Sequence, residues 1–528
     1  MPIRMEQDPQ QPGRRRTEDD NQGQNRNTGG GGLGGLLRFA PLLLGFLFKK
    51  PKLLLLVLAG VAIWYFMSGG CEDLSGDGDL SGGGTASDQE QFTFGAVLSE
   101  EEYDKADVFE PLSTSYGGAE NQLPASVSLL KYAPKRMHQG NQGSCVGWAG
   151  SYAARTILQA RATGVDPNNV AFSPSYLYNQ IALDGCQGAY MQNAMETLLK
   201  HGDLPFSKFG YDDSDCSRQP TQSMATEASQ FRTKGYNRLS QGGDNYGLDI
   251  QGVKQHIAQG APVVIGMMVG GTFMQDMVGK SVWQPTQRDY SGYGFSGHAM
   301  CVIGYDDDKE MVQIMNSWGP EWGNNGTAWI PYKAFEHFTK EAYGLYPMGD
   351  AAKYDPNKLM VKFGLVDNAT QTLIPLAAAG DRTFRTRAPM KIGTKFKVAI
   401  TNSIECNVYV FGQEVDGSSY VLFPYTEKHS PYCGITGTRL FPKDHSMTPD
   451  DKGKRDYIAV VVSKSPLDWN ALNGRINTSR QSTYLGKVRE AIAQDEVPNV
   501  KFTAPDAVEF SCDLNGKNVV ATVIEIDK

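Results

Sequence analysis

Gln139-Gly140-Asn141-Gln142-Gly143-Ser144-Cys145-Val146-Gly147-Trp148 decides how the rest of the chain is read, because a glutamine stands six residues ahead of a cysteine that opens an apolar-periodic segment. From Gly143 to Arg161 the apolar residues Val146, Ala149, Ala153, Ile157 and Ala160 recur at three- and four-residue spacing, which predicts a buried helix with Cys145 in its first turn. Unpaired N–H groups and the positive end of the helix dipole stabilise a thiolate there, and the thiolate is the reactive form of cysteine. Cys145 therefore reads as a nucleophile.

A nucleophilic thiolate needs a base, and the base needs a group that fixes its tautomer. His298 lies in Ser-Gly-His-Ala-Met-Cys-Val-Ile-Gly-Tyr, where residues 298–305 read as an apolar strand leaving a glycine-rich loop. Asn316 lies in Gln-Ile-Met-Asn-Ser-Trp-Gly, at a second strand end. Taken singly, a cysteine at a helix start is usually a small buried hydrophobe. The order and spacing of the set, roughly 150 residues from cysteine to histidine and about 170 to asparagine, carry the reading. Cys301, three residues past His298, reads as core.

With Gly-Cys-Gln-Gly-Ala from Gly185 and Trp-Gly-Asn-Asn-Gly from Trp322, these elements resemble the papain family of cysteine peptidases over residues 123–347. The resemblance implies an α+β fold of two lobes, one helical and one barrel-like, with the cleft between them. It implies Cys145 as nucleophile, His298 as base, Asn316 as orienter and Gln139 with the Cys145 amide as oxyanion donors. Gly188 and Ala189 would bind substrate backbone, and Trp318 would shield the His298–Asn316 bond. The reaction implied is hydrolysis of a peptide or protein through an acyl-enzyme, with no cofactor and no metal. Two alternatives stay open: acyl transfer or transpeptidation by the same residues, and a catalytically silent surface binder. Three positions depart from the family pattern: Val146 where a tryptophan usually follows the nucleophile, Gln142 where a disulfide cysteine stands, and Gly297 where an aspartate precedes the histidine. Cys186 and Cys216 are open between a disulfide and two free thiols.

Outward from this region the texture changes. The chain has 528 residues and a net charge of −8, which predicts more than one folded unit and gives no basic footprint for nucleic acid. Residues 1–38 are rich in Gln, Asn, Gly and Arg and read as a disordered tail. Two apolar runs follow, 36–48 and 53–67, separated by Lys49-Lys50-Pro51-Lys52. The second, extended to Gly70, is the better membrane span. Basic residues precede it and Glu72, Asp73, Asp77 and Asp79 follow, so the expected topology is single-pass, N-terminus cytoplasmic, catalytic region extracytoplasmic. Residues 71–122 read as a linker, with Phe109 to Leu112 packed on the surface of the catalytic region rather than across its cleft.

Residues 354–528 form a second unit. Phe396, Val398 and Ile400 alternate, as do Cys406, Val408 and Val410, and Asp416-Gly417 signals a hairpin. Residues 457–462 make a continuous strand, and one helix is expected over 467–476. The segment 395–479 resembles an uncharacterised bacterial domain often appended to peptidases, which fixes no activity. A β-sandwich that supports the enzyme or binds an unidentified protein is the expectation.

Overall fold

The computed structural model describes residues 3–8, 92–242, 244–347, 355–503 and 506–528. The apolar runs 36–48 and 53–70 and most of the 1–38 tail lie outside the described residues. Among the described residues no helix is long and apolar enough to cross a membrane.

The predicted central helix forms continuously from Cys145 to Thr163, but not as one regular α-helix. An α-turn at Cys145–Gly147 is followed by wider i→i+5 turns over Trp148–Arg155 and then α-helix Thr156–Thr163. Every residue from Cys145 to Leu158 is buried. Shorter helices Pro174–Tyr178, N-capped by the Ser173 hydroxyl, and Met191–Lys200 complete this lobe. The other lobe is a seven-stranded antiparallel sheet, in which Val263–Val269, Ser296–Asp306, Met311–Met315 and Thr327–Pro331 are successive neighbours. His298 to Tyr305 is buried on both faces of its strand, because the strand packs against both the central helix and the helix Ile250–Ala258. Cys186 and Cys216 form a disulfide with a Cα–Cα distance of 5.9 Å.

The second domain is a two-sheet sandwich with helices outside it. Leu359, Val361, Phe363, Val398 and Ile400 of one sheet face Val408, Val410, Val460, Val462 and Ile524 of the other. The alternate residues Tyr409, Phe411, Ala459 and Val461 carry a second apolar layer under two helices, Trp469–Thr478 and Tyr484–Ile492. Two helices thus stand where one was expected. Asp416-Gly417 closes the Cys406–Gln413 and Ser419–Phe423 hairpin, whereas Asn515-Gly516 joins strands of different sheets.

The reading of 1–38 as structureless is corrected at its start. Ile3–Gln7 is an edge strand, antiparallel to His445–Pro449 of the second domain. Ile3 is buried in the sandwich core, and Asp8 accepts from Ser446 Oγ (2.6 Å) and pairs with Lys397 Nζ (2.6 Å). A short strand needs only one apolar anchor and a free sheet edge, and the polar composition around it hides both. Residues 3–8 belong to the same compact unit as residues 92–528.

Phe109 and Leu112 do pack on the catalytic domain, and what the linker reading did not include is that the same segment also meets the second domain. Residues 107–113 lie between the two domains: Val108 N–H donates to Lys428 O (2.6 Å) while Phe109 N–H donates to Arg238 O (3.0 Å). Phe109 and Leu112 are buried there.

Candidate active site

The two lobes bring Cys145, His298, Asn316 and Gln139 together. Cys145 heads the central helix, and the Ala299 amide, next to the histidine on its strand, donates to Cys145 Sγ at 3.4 Å. His298 Nε2 and Asn316 Oδ1 are 2.7 Å apart, while His298 Nδ1 has no hydrogen-bond partner among the described residues. The Asn316 bond requires a proton on Nε2, so the neutral ring leaves Nδ1 as the lone pair that would take the thiol proton. Trp318 stacks on the imidazole with centroids 4.3 Å apart and is itself fully buried. Gln139 is fully buried, and its Oε1 accepts from Ser317 Oγ at 2.6 Å. That bond aims Nε2 into the cleft.

The cleft is not empty. Residues 92–98, Phe-Thr-Phe-Gly-Ala-Val-Leu, run through it as an extended strand, and their Ala96–Val97 pairs in parallel with Ala189–Tyr190. Ala189 N–H donates to Gly95 O at 2.9 Å, beside Gly188. The Thr93 carbonyl accepts from both Gln139 Nε2 (3.1 Å) and Trp318 Nε1 (3.0 Å). Phe92 stacks on Trp318 at 4.8 Å, and Phe94 meets the His298 ring edge-on at 6.2 Å. Past Leu98, the Ser99 amide donates to Glu341 Oε1 at 2.7 Å, and Tyr343 OH donates to the other carboxylate oxygen at 2.9 Å.

Two glycines make this approach possible. A Cβ on Gly95 would lie 2.0 Å from the Gly143 carbonyl oxygen, and one on Gly297 would lie 2.1 Å from the Ala96 carbonyl oxygen. The departure from the family's aspartate at position 297 therefore has a steric reason: any side chain there collides with the strand in the cleft.

Covering the cleft sets its electrostatics. Burial pushes the Cys145 thiol up to about 12, against the opposing hydrogen bonds from the amides of Ala299, Val146, Cys145 and Ala96. Burial also pushes the His298 imidazole down to about 4, against the bond to Asn316. Both groups are neutral near pH 7. The expected thiolate is absent in this state, because desolvation of the covered site outweighs the helix terminus. Burial raises Cys301 further, and among the described residues its thiol reaches the carbonyl of its own neighbour Val302, so it is core. Glu341 is raised to about 7, also by burial.

Sequence reasoning missed the strand 92–98, together with Ser317 as the holder of Gln139 and Tyr211, whose hydroxyl contacts Ser144 Oγ and the Gln139 carbonyl. Ser317 was within reach, since it follows Asn316 directly. Nothing local marks residues 92–98 as a cleft occupant, because its hydrogen bonds are made by backbone and the ring partners of Phe92 and Phe94 lie far along the chain. Among the described residues no group of His, Cys, Asp and Glu would hold a metal ion.

A buried Cys–His–Asn set at the junction of a helical and a sheet lobe, with a glutamine amide aimed at a peptide carbonyl, defines a cysteine peptidase. Residues 130–347 match papain family cysteine protease, and that region is a papain-family cysteine protease domain. The chain is 28% identical over 245 residues to a peptidase C1-like protein of Acanthamoeba polyphaga mimivirus, covering 44% of this chain and 77% of that one. It is 29% identical over 197 residues to a cathepsin B-like protein of Giardia intestinalis, covering 37% of this chain and 62% of that relative, under two thirds of its length. Among solved structures it is similar to xylellain, a cysteine protease from Xylella fastidiosa, at 22% identity and a TM-score of 0.38, covering 49% of this chain and 96% of that one.

Proposed function

We propose that this protein hydrolyses peptide bonds with Cys145 as nucleophile, and that the state described is its latent form. The observation that carries the reading is the peptide already lying in the cleft: the Thr93 carbonyl is held by Trp318 Nε1 and by Gln139 Nε2, the same amide that would meet a substrate's oxyanion. Once residues 92–98 leave, water reaches the site and the desolvation that keeps both groups neutral falls. The thiol proton then passes to His298 Nδ1, with Nε2 held by Asn316. The thiolate sulfur bonds to the substrate carbonyl carbon, and the oxyanion meets Gln139 Nε2 and the Cys145 amide. His298 gives its proton to the departing amine, and water, deprotonated by His298, releases the acid and restores the thiol. An amine in place of that water would give acyl transfer, which assays with competing amines separate.

The test uses protein from which the cleft strand has been displaced. Cys145→Ala should abolish peptide hydrolysis and labelling by a thiol-reactive epoxide, while Cys301→Ala should retain both. Labelling that follows Cys301 would overturn the assignment.

We also propose membrane attachment through the apolar run 53–70, with the catalytic domain and the first residues on the same side. Support for the first part is the apolar sequence flanked by Lys49, Lys50 and Lys52. Support for the second is the pairing of Ile3–Gln7 with His445–Pro449, which a single crossing between them would forbid. We propose an even number of crossings in place of the single pass expected from the sequence. Protease added to spheroplasts should treat an N-terminal tag and the catalytic domain alike; degradation of one with protection of the other would restore the single pass.

A further inference from the structure

The cleft strand is tied at its downstream end to the second domain as well as to the catalytic domain, where Arg238 pairs with Asp104 at 3.0 Å and Tyr103 OH donates to Ala342 O at 3.0 Å. After Leu98 comes one short helix, Glu100–Tyr103, N-capped by Ser99. From Asp104 onward the chain enters the seam between the domains, and much of what grips it there belongs to the second domain. Lys428 Nζ pairs with Asp104 at 2.8 Å, the Val108 amide donates to Lys428 O, and the Ser430 amide donates to Val108 O at 3.2 Å. Buried Arg439 donates through Nε to Glu110 O at 2.9 Å, while its other nitrogens are fixed on Asn402 Oδ1 and Ile435 O. The Ser113 amide donates to Thr438 O at 2.8 Å, and the Asn121 side chain both donates to and accepts from the Thr438 backbone at 2.8 Å.

We infer that the second domain functions as a clamp on this chain's own cleft strand, an intramolecular inhibitory module. This rests on the reading of residues 92–98 as the block to the Cys145 site. The physical reason is effective concentration: a strand anchored six residues beyond its end, at Asp104, stays near its cleft at a local concentration on the order of millimolar, and that concentration falls when the anchor is loosened and the tether lengthens. The catalytic domain offers the strand its seat and part of its anchor, and the second domain completes that anchor. The same surface is thereby occupied, so the strand Gly437–Phe441 and the loop 424–431 serve this chain.

The experiment uses full-length protein with Asn121→Ala plus Lys428→Ala, and separately with Arg439→Gln. Iodoacetamide labelling of Cys145 is followed by mass spectrometry of its peptide, and amide hydrogen exchange of residues 107–113 is followed in parallel. Both should rise together, with Cys145 labelled about tenfold faster or more as the effective concentration of the strand drops. Faster exchange at 107–113 with labelling at the wild-type rate overturns the clamp. Unchanged exchange in all variants overturns it too, since the seam would then not depend on these groups. Global unfolding would show as fast exchange in Ser296–Asp306, and Asn121→Ala alone, which removes one partly buried amide, then serves as the milder variant. Labelling reads thiol exposure and not turnover, so a protein that labels as expected yet cleaves no peptide refutes the peptidase reading and leaves the clamp standing.

Discussion

Residues 92–98 and residues 107–113 are neighbouring extended stretches that pair by backbone with strands or loops on either side, and they are held very differently. In the cleft, Phe92, Thr93, Phe94, Val97 and Leu98 are only half-buried, and a handful of hydrogen bonds seat the strand. In the seam, Val108, Phe109, Glu110 and Leu112 are all buried. Fixing a residue's backbone costs about 1–2 kcal/mol, while a hydrogen bond returns about 0.5–1.5 kcal/mol net. Hydrogen bonds alone therefore do not hold the cleft strand, and the partly buried Phe92, Phe94 and Leu98 add only part of what full burial would. Each large apolar side chain in the seam adds about 1.5–3 kcal/mol, which moves that stretch well to the bound side. The seam stretch is the more tightly held of the two.

The strongest way to break this contrast is Phe109→Ala. Phe109 packs on the His256 ring at 4.8 Å and beneath Arg439. Its truncation should cost about 3–5 kcal/mol, seen as a lower urea midpoint for the whole unit. A midpoint that barely moves would make the seam as loose as the cleft.

Glu341→Gln comes next and works at the point where the cleft strand ends. The Glu341 carboxyl is raised in the folded protein from 4.5 to about 7, chiefly by burial, with Glu102 adding to it. The folded state therefore favours the protonated acid, and the stability this contributes is present below pH 4.5 and lost as pH rises through 7. Integrating the shift gives up to about 3 kcal/mol. The variant should lose that decline between pH 4.5 and 7 in melting temperature; an unchanged profile would assign the decline to other groups.

Gly95→Ala sharpens the comparison from the other side. A methyl group meeting a backbone carbonyl at 2.0 Å cannot be accommodated by a side-chain rotation. The strand should unseat, raising Cys145 labelling at neutral pH on the order of a hundredfold, while the urea midpoint stays near wild type. A fall in midpoint with no gain in labelling would mean that the strand is structural.

The smallest effect is set for Gln139→Ala. In opened protein, turnover per titrated thiol should fall by at least about tenfold, a floor below the usual cost of losing an oxyanion donor, with melting temperature little changed. Unchanged turnover with a lowered melting temperature would make Gln139 a packing residue.

The site was legible because each of its members sits in its own local pattern. Residues 298–305 lie in the strand expected from their apolar run, and Cys145 does open the central helix. What escaped was made by backbone over long range. Residues 92–98 pair with 189–190, and Ile3–Gln7 with 445–449, through N–H and C=O groups that every residue carries. The ionisation state escaped for the same reason, since it depends on that strand's presence. The helix Tyr484–Ile492 is a different kind of miss: Thr483 caps it and Tyr484, Val488 and Ile492 recur every fourth residue, so the signal was in the sequence.

The edge strand Ile3–Gln7 has a consequence for how cleavage of this protein would look. The second domain holds the chain on both sides of residues 9–91, by the sheet edge at one end and by the seam at the other. A protease that cuts once within residues 9–91 severs the polypeptide without freeing either end. Two bands would separate on a denaturing gel while a single species of unchanged mass elutes from a sizing column.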